Sequence, residues 1–217
     1  MLTIRTDPDV WEETLAAAAL GRREQNKLEK RGRITSAARA LFRHKGFEAT
    51  TAQEIADAAG VASGTVFTYA KTKDDLLIMV FHDEILEVVE RAYDAARREH
   101  ELLDQVVAFF ETLVAYHERD LPLARLLMRQ LGYVSSVDQR EMVIDLMTIL
   151  LRRLAQLVER AKRRDEVALA SPLLESARSL FAIYYYHLGM MLNGYTERAQ
   201  FDRALRGGLG LLLTGLD

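Results

Sequence analysis

Apolar residues recur at three- and four-residue spacing along almost the whole chain, the pattern of helices with one buried face. Ile34, Ala37, Ala38, Leu41 and Phe42 make the first clear face, and Gly46 ends that helix. From Thr50 to Tyr69 the texture changes to short apolar clusters set between cap and turn residues. Thr51 and Glu54 form a capping box, each side chain meeting the other's orphan backbone donor. Ile55, Ala56 and Ala59 give the next helix a small apolar face, and Gly60 supplies the left-handed residue that closes it. Val61 turns inward, and a second short helix is predicted over Ala62–Ala70 with Val66 and Ala70 facing in. Thr72 and Asp75 make a further capping box, followed by Leu76, Leu77, Met79, Val80 and Phe81. Two short helices about a glycine turn give a helix-turn-helix, whose second helix can lie in a DNA major groove.

Beyond Phe81 the periodicity stays helical, and three prolines in all leave little to interrupt it. The pattern predicts helices over Lys73–Glu99 and Leu102–Arg119, a short one with Pro122 in its first turn ending near Gly132, and a long one over Ser136–Arg164. Val106, Phe109, Phe110, Leu113 and Tyr116 should face inward on the second of these. Ser171-Pro172 should open a helix to Leu192, ended by Asn193-Gly194, and a last helix should cover Thr196–Leu213. The fold class is therefore all-α, with a helix-turn-helix head joined through a shared helix to a larger body. The helix after Pro172 is apolar on most of its circumference and so should be buried on two sides. Gly207, Gly208 and Gly210 in the final helix each cost about 1 kcal/mol relative to alanine, which points to close helix approach or local distortion. Ahead of the head, in residues 1–21, Asp7-Pro8 should open a short extra helix that docks on the body through Trp11.

Charge sharpens this division. Residues 22–73 hold 11 basic and 5 acidic side chains, a balance of +6, which leaves −9 for the rest of a chain whose net charge is −3. A basic head on an acidic body suits a protein that meets phosphate at one end. Arg22, Arg23 and Lys27 could extend that surface as an arm. Cysteine is absent, which excludes disulfides and thiolate chemistry and makes a reducing compartment the default. The N-terminus lacks the basic start and apolar run of a secretory signal, and no stretch approaches a membrane span, so a cytoplasmic protein is expected.

The fixed spacings carry a resemblance. Arg33-Ile34, Ala37-Ala38, Leu41-Phe42, Gly46-Phe47, Thr50-Thr51, Ile55-Ala56, Ala59-Gly60-Val61, Gly64-Thr65 and Lys73-x-x-Leu76 resemble the DNA-binding signature of the TetR family of transcriptional repressors. The resemblance implies a DNA-binding domain over 22–72 and an effector-binding and dimerisation domain over 73–217. It places Thr51, Tyr69 and Lys73 where the family grips the DNA backbone, and Gly64, Thr65 and Thr68 where it approaches bases, with Ser63 and Phe67 on the same helix. Three positions depart from the family: Ala62 stands for a capping Ser, Phe67 for a frequent Tyr and Ala70 for a frequent Phe. The resemblance also implies a homodimer through the last two helices, for which Leu173, Leu180, Leu188, Phe201, Leu205 and Leu209 are the candidate contacts.

The body is rich in aromatic, histidine and methionine side chains, several with polar tips. Phe109, Phe110, Tyr116, His117, Met128, Met147, Phe181, Tyr184 and Tyr185 are candidates to line a pocket for a small apolar or aromatic effector, with Tyr133 and Tyr186 near them in sequence. Ordinary helix packing is the competing account of the same residues. No phosphate loop, no His-Glu-x-x-His and no catalytic constellation occurs, so neither an enzyme nor a cofactor is expected. His82-Asp83-Glu84 is the nearest approach to a metal set. The expectation is a dimeric repressor released from operator DNA by a small effector. The alternatives are a ligand-independent helical DNA-binding or interaction module and a metal-dependent helical enzyme.

Overall fold

A computed structural model describes residues 22–132, 137–167 and 172–214, excepting the side chains of residues 22–24. The expected helix over 1–21, Tyr133, and the starts at Ser136 and Ser171 lie outside the described residues. Among them there are nine helices and no strand: α1 (Arg22–Lys45), α2 (Ala52–Ala59), α3 (Ser63–Tyr69), α4 (Lys73–Ala96), α5 (Leu102–Glu118), α6 (Leu121–Gly132), α7 (Val137–Arg163), α8 (Leu173–Leu192) and α9 (Arg198–Thr214). No helix among the described residues is long and apolar enough to cross a membrane.

The head is fixed by short-range hydrogen bonds. The Thr51 hydroxyl accepts from Glu54 N–H at 3.2 Å, and Thr51 N–H donates to Glu54 Oε2 at 2.9 Å. Gly60 ends α2 at φ 63° and ψ 42°, a conformation that disfavours any side chain. The Val61 amide then donates back to Ala56 O at 3.0 Å. Ala62 precedes α3 with no side-chain cap, so the departure at that position leaves the start of the helix uncapped. Thr72 and Asp75 complete the second capping box, at 3.1 and 2.8 Å. Buried Asp75 also receives Gln139 Nε2 at 2.5 Å, which ties the start of α4 to α7.

In the body, α4 packs along α5 and α7, α8 lies against both α7 and α9, and α9 reaches back to α5. One apolar cluster runs unbroken from Ile34 and Ile55 in the head, through Leu76–Phe81, to Leu180, Phe201 and Leu209. Head and body therefore share a core, and α4 is the element that crosses between them. The final helix is continuous despite its glycines. A Cβ at Gly208 would lie 3.1 Å from Ile183 Cγ2, so close approach of α9 to α8 is the reason for one of the three. Nothing crowds Gly207.

The expected contacts of a dimer need correction. Leu180, Leu188, Phe201, Leu205 and Leu209 are each at most 1% exposed within a single protomer, and Leu173 is half-buried. Because α8 packs on α5, α6 and α7, and α9 packs on α5 and α8, the protomer buries these side chains by itself. The apolar groups that α8 and α9 present outward are Tyr185, Tyr186, Leu211 and Leu212, with Tyr186 62% exposed.

Candidate functional site

Two regions gather the candidate residues. The first is the outer face of α3, where Gly64, Phe67 and Thr68 are exposed and Ser63, Thr65 and Tyr69 are half-buried. Val66 and Ala70 face the core, as their spacing implies. The Tyr69 hydroxyl donates to Lys27 O at 3.1 Å, and this bond pins α3 to α1. Lys73 Nζ sits 4.5 Å above the Phe47 ring and donates to Glu48 O at 3.1 Å. A cation at a helix N-terminus opposes the dipole, but here it clamps the α1–α2 turn, so its sign alone does not require a phosphate partner. Lys45 pairs with Glu54, and that pairing, followed by the bonds from Thr51, holds the Glu54 carboxyl down at about 2.

The second region lies in the body. A cavity of about 200 Å³ is lined by Ile85 of α4, Leu113 and His117 of α5, Leu127, Met128 and Leu131 of α6, Val143, Leu146, Met147 and Leu150 of α7, and Phe181, Tyr184, Tyr185 and Leu188 of α8. It brings together His117, Met128, Met147, Phe181, Tyr184 and Tyr185 from the candidate set. Phe109, Phe110 and Tyr116 are core residues behind the wall. Phe110 stacks on Tyr184 at 4.5 Å and 5°, and so shapes the cavity without facing it. The aliphatic majority of the lining escaped sequence reasoning because Leu, Ile and Val at helical spacing look the same on a core face and a cavity wall.

A wider groove of about 880 Å³ opens beside this cavity and shares Met128 and Tyr185 with it. The end of α1 and the turn after it supply Phe42, Lys45, Phe47 and Glu48, and α6 supplies Arg125, Leu126 and Arg129. The groove therefore touches head and body at once. Arg125 Nε donates to Leu192 O at 2.5 Å and closes the C-terminus of α8.

A chain of polar contacts joins this region to the head. The Tyr116 hydroxyl donates to Glu84 on α4, and Glu84 pairs with Arg39 on α1. Nearby, Arg31 Nη2 meets Asp83 Oδ1 at 2.8 Å, while His82 lies 3.1 Å from Asp83 and 2.9 Å from Asp145. The His82-Asp83-Glu84 run is thus spent on contacts between helices. Among the described residues no three His, Asp or Glu side chains gather as metal ligands.

The decisive comparison concerns the head. The family model for bacterial regulatory proteins of the tetR family matches residues 34–80. The head is a TetR-family domain. Its curated relatives agree: the fatty acid metabolism regulator protein of Bacillus subtilis is 34% identical over 67 residues, covering 31% of this chain and 34% of that protein. The repressor KstR2 of Mycobacterium tuberculosis is 29% identical over 92 residues, or 41% of this chain and 46% of that one. The matched stretch thus spans less than half the length of these curated relatives. Solved structures extend the likeness beyond the TetR head. Thermus thermophilus FadR, a TetR-family transcriptional repressor in complex with lauroyl-CoA, covers 86% of this chain and 95% of its own at 25% identity and a TM-score of 0.71. Bacillus subtilis FadR in complex with stearoyl-CoA shares the fold, with a TM-score of 0.66 at 19% identity over 85% of this chain and 98% of that one. These relatives are transcriptional regulators rather than enzymes.

Proposed function

We propose that the protein is a cytoplasmic, dimeric DNA-binding repressor without enzymatic activity, released from its operator by an amphipathic acyl thioester. The observation that carries this reading is a TetR head sharing α4 with a body that holds an apolar cavity. In this reading residues 22–72 bind DNA and 73–217 bind effector and partner, with residues 1–21 an added extension. Thr51, Tyr69 and Lys73 meet the DNA backbone. Gly64, Thr65 and Thr68 approach bases, flanked by Ser63 and Phe67. The homodimer forms through the outward faces of α8 and α9.

The acyl thioester class rests on the FadR complexes with lauroyl-CoA and stearoyl-CoA and on the two adjoining spaces of different character. Cavities for drug-sized ligands run to roughly 300–1,000 Å³. The apolar cavity alone, at about 200 Å³, is below that range, whereas the adjoining groove of about 880 Å³ has room for a polar head group. Filling both spaces would press on α4 through Ile85 and on the α1–α2 turn through Phe47. Two heads reading successive major-groove faces must stay about 34–36 Å apart, or a multiple of that. A tilt of both α4 helices would spoil the spacing without unfolding either head.

The test is fluorescence anisotropy with genomic duplexes at physiological salt, with and without lauroyl-CoA. One duplex should bind far more tightly than random DNA. A coupling of about 1–3 kcal/mol would weaken it about 5- to 150-fold on ligand addition, and DNA should weaken ligand binding by the same factor. Arg39→Ala should reduce that factor while largely sparing affinity without ligand, because it cuts the Glu84 link between cavity and head. A protein that binds all duplexes alike, or a ligand that binds equally with and without operator, would sink this reading.

A further inference from the structure

Two polar groups of the body cavity have no place in an apolar container. Tyr184 is 3% exposed, and its hydroxyl is buried with no hydrogen-bond partner. His117 is 8% exposed, and its Nδ1 is likewise buried and unpartnered. They approach the same cavity from α8 and α5. Burial holds the His117 imidazole down to about 4, so it is uncharged at neutral pH, and burial pushes the Tyr184 phenol upward, so it keeps its proton. Buried polar groups left unpaired are costly and rare. Phe at Tyr184 would keep the stack on Phe110, and Leu at His117 would fill an aliphatic wall, so packing asks for neither polar atom. Tyr185 also lines the cavity but is 36% exposed, and outside the lining Tyr116 donates to Glu84 and Arg125 to Leu192.

Resting on the reading of this cavity as the effector site, we propose that Tyr184 and His117 select an effector whose apolar part carries an uncharged oxygen, a hydroxyl or a carbonyl, over a plain saturated chain. The phenol donates to that oxygen. The neutral imidazole, free to place its proton on either nitrogen, accepts from a hydroxyl or donates to a carbonyl. A plain hydrocarbon would leave both groups unpaired, and sites built to hydrogen-bond an oxygen reject analogues that lack it.

The experiment uses the full chain and three probes of similar size: cyclohexanol, cyclohexanone and methylcyclohexane. Binding is followed by NMR of methyl-labelled methionine, because Met128 and Met147 both line the cavity. At least one oxygenated probe should bind about tenfold more tightly than methylcyclohexane, and the better of the two tells hydroxyl from carbonyl. Tyr184→Phe with His117→Leu should erase the preference while keeping methylcyclohexane binding. Tyr184→Phe alone should raise the melting temperature of the free protein by about 2–4 °C, since it removes an unpaired buried hydroxyl. Equal binding of the three probes, a preference that survives both substitutions, or no response at either methionine would overturn the proposal. Release of DNA by lauroyl-CoA is read separately: its failure beside an intact probe preference rejects a thioester of a plain saturated chain and leaves the oxygen-reading cavity standing.

Discussion

In the head, α2 has eight residues and buries three, whereas α4 has 24 and buries twelve. The difference extends to how helix ends are closed. Thr51 and Glu54 close α2 across three residues of chain, and Thr72 and Asp75 close the start of α4 in the same way. In the body, Leu102 at the start of α5 has no local cap, and its amide donates instead to Glu166, 64 residues away. Arg125 closes the end of α8 from 67 residues away. Small helices cannot bury enough apolar surface to hold their place, so the head depends on caps and a left-handed glycine. Long helices hold by packing, so the start of α5 and the end of α8 can draw on a side chain that the fold brings near.

The largest effect should come from breaking the body's packing where it is sealed. Leu180 is 1% exposed inside one protomer, so Leu180→Asp would bury an unpaired charge and cost more than about 4 kcal/mol. Because one core runs through both regions, far-UV circular dichroism should show the head lost along with the body. Tyr186→Asp, on the exposed face of the same helix, should leave the protomer folded and weaken self-association, read by light scattering. If Leu180→Asp instead yielded folded monomers, the shared core described here would be wrong.

The same contrast explains what was legible in the sequence. The head could be read almost residue by residue because each cap and its partner are three positions apart and Gly60 must take a positive φ. The body's helices were legible within a few residues, since period alone fixes them: α8 runs over Leu173–Leu192 as expected, while α4 stops at Ala96 rather than Glu99. Which way each apolar face points was not legible. Leu180 and Leu188 carry the stripe expected of a subunit contact, yet they are core, because only tertiary packing decides whether a stripe meets its own chain or another. The cavity was half legible. Its polar-tipped members, His117 and Tyr184, stand out in an apolar run, whereas Leu127 and Leu146 do not.

His117 gives the next effect. Its folded value near 4 lies below the ordinary 6.5, so the unfolded chain takes up the proton first as pH falls. Stability from this group is full above 6.5 and is lost as pH drops from 6.5 toward 4. Between pH 6.5 and 5 the loss should be about 2 kcal/mol. Urea unfolding of the wild type against His117→Leu isolates it: the variant should lack that part of the acid loss. Equal pH slopes for the two proteins would show that His117 is not held neutral.

Caps should matter less, but in different places. Thr51→Ala should cost about 0.5–2 kcal/mol, and hydrogen exchange should rise within α2 while the amides of α8 keep their protection. Glu166→Ala should cost a similar amount and free the first turn of α5 instead. Loss of protection in both regions from either substitution would mean that local and remote caps act through one cooperative unit, contrary to the contrast drawn above.

The smallest effect belongs to the junction. The hydrogen bond to Asp83, and then that to Asp145, raise His82 above its ordinary 6.5 against the opposing pull of burial. Asp83 in turn holds Arg31 of α1, so a charged imidazole strengthens a clamp linking α1, α4 and α7. A raised value means that the folded state keeps its proton to higher pH than the unfolded chain. The stabilisation is complete below 6.5 and is lost as pH rises from 6.5 through the folded value. This window lies above the His117 window, so the two groups separate cleanly in a pH series. His82→Gln keeps a neutral hydrogen-bonding side chain and should remove the decline that sets in as pH rises above 6.5. Since the clamp joins head to body, the same rise in pH should increase hydrogen exchange in α1 near Arg31 in the wild type alone. If α1 exchange rises equally in His82→Gln after correction for the intrinsic rate, the clamp is held by Arg31 and Asp83 without the histidine.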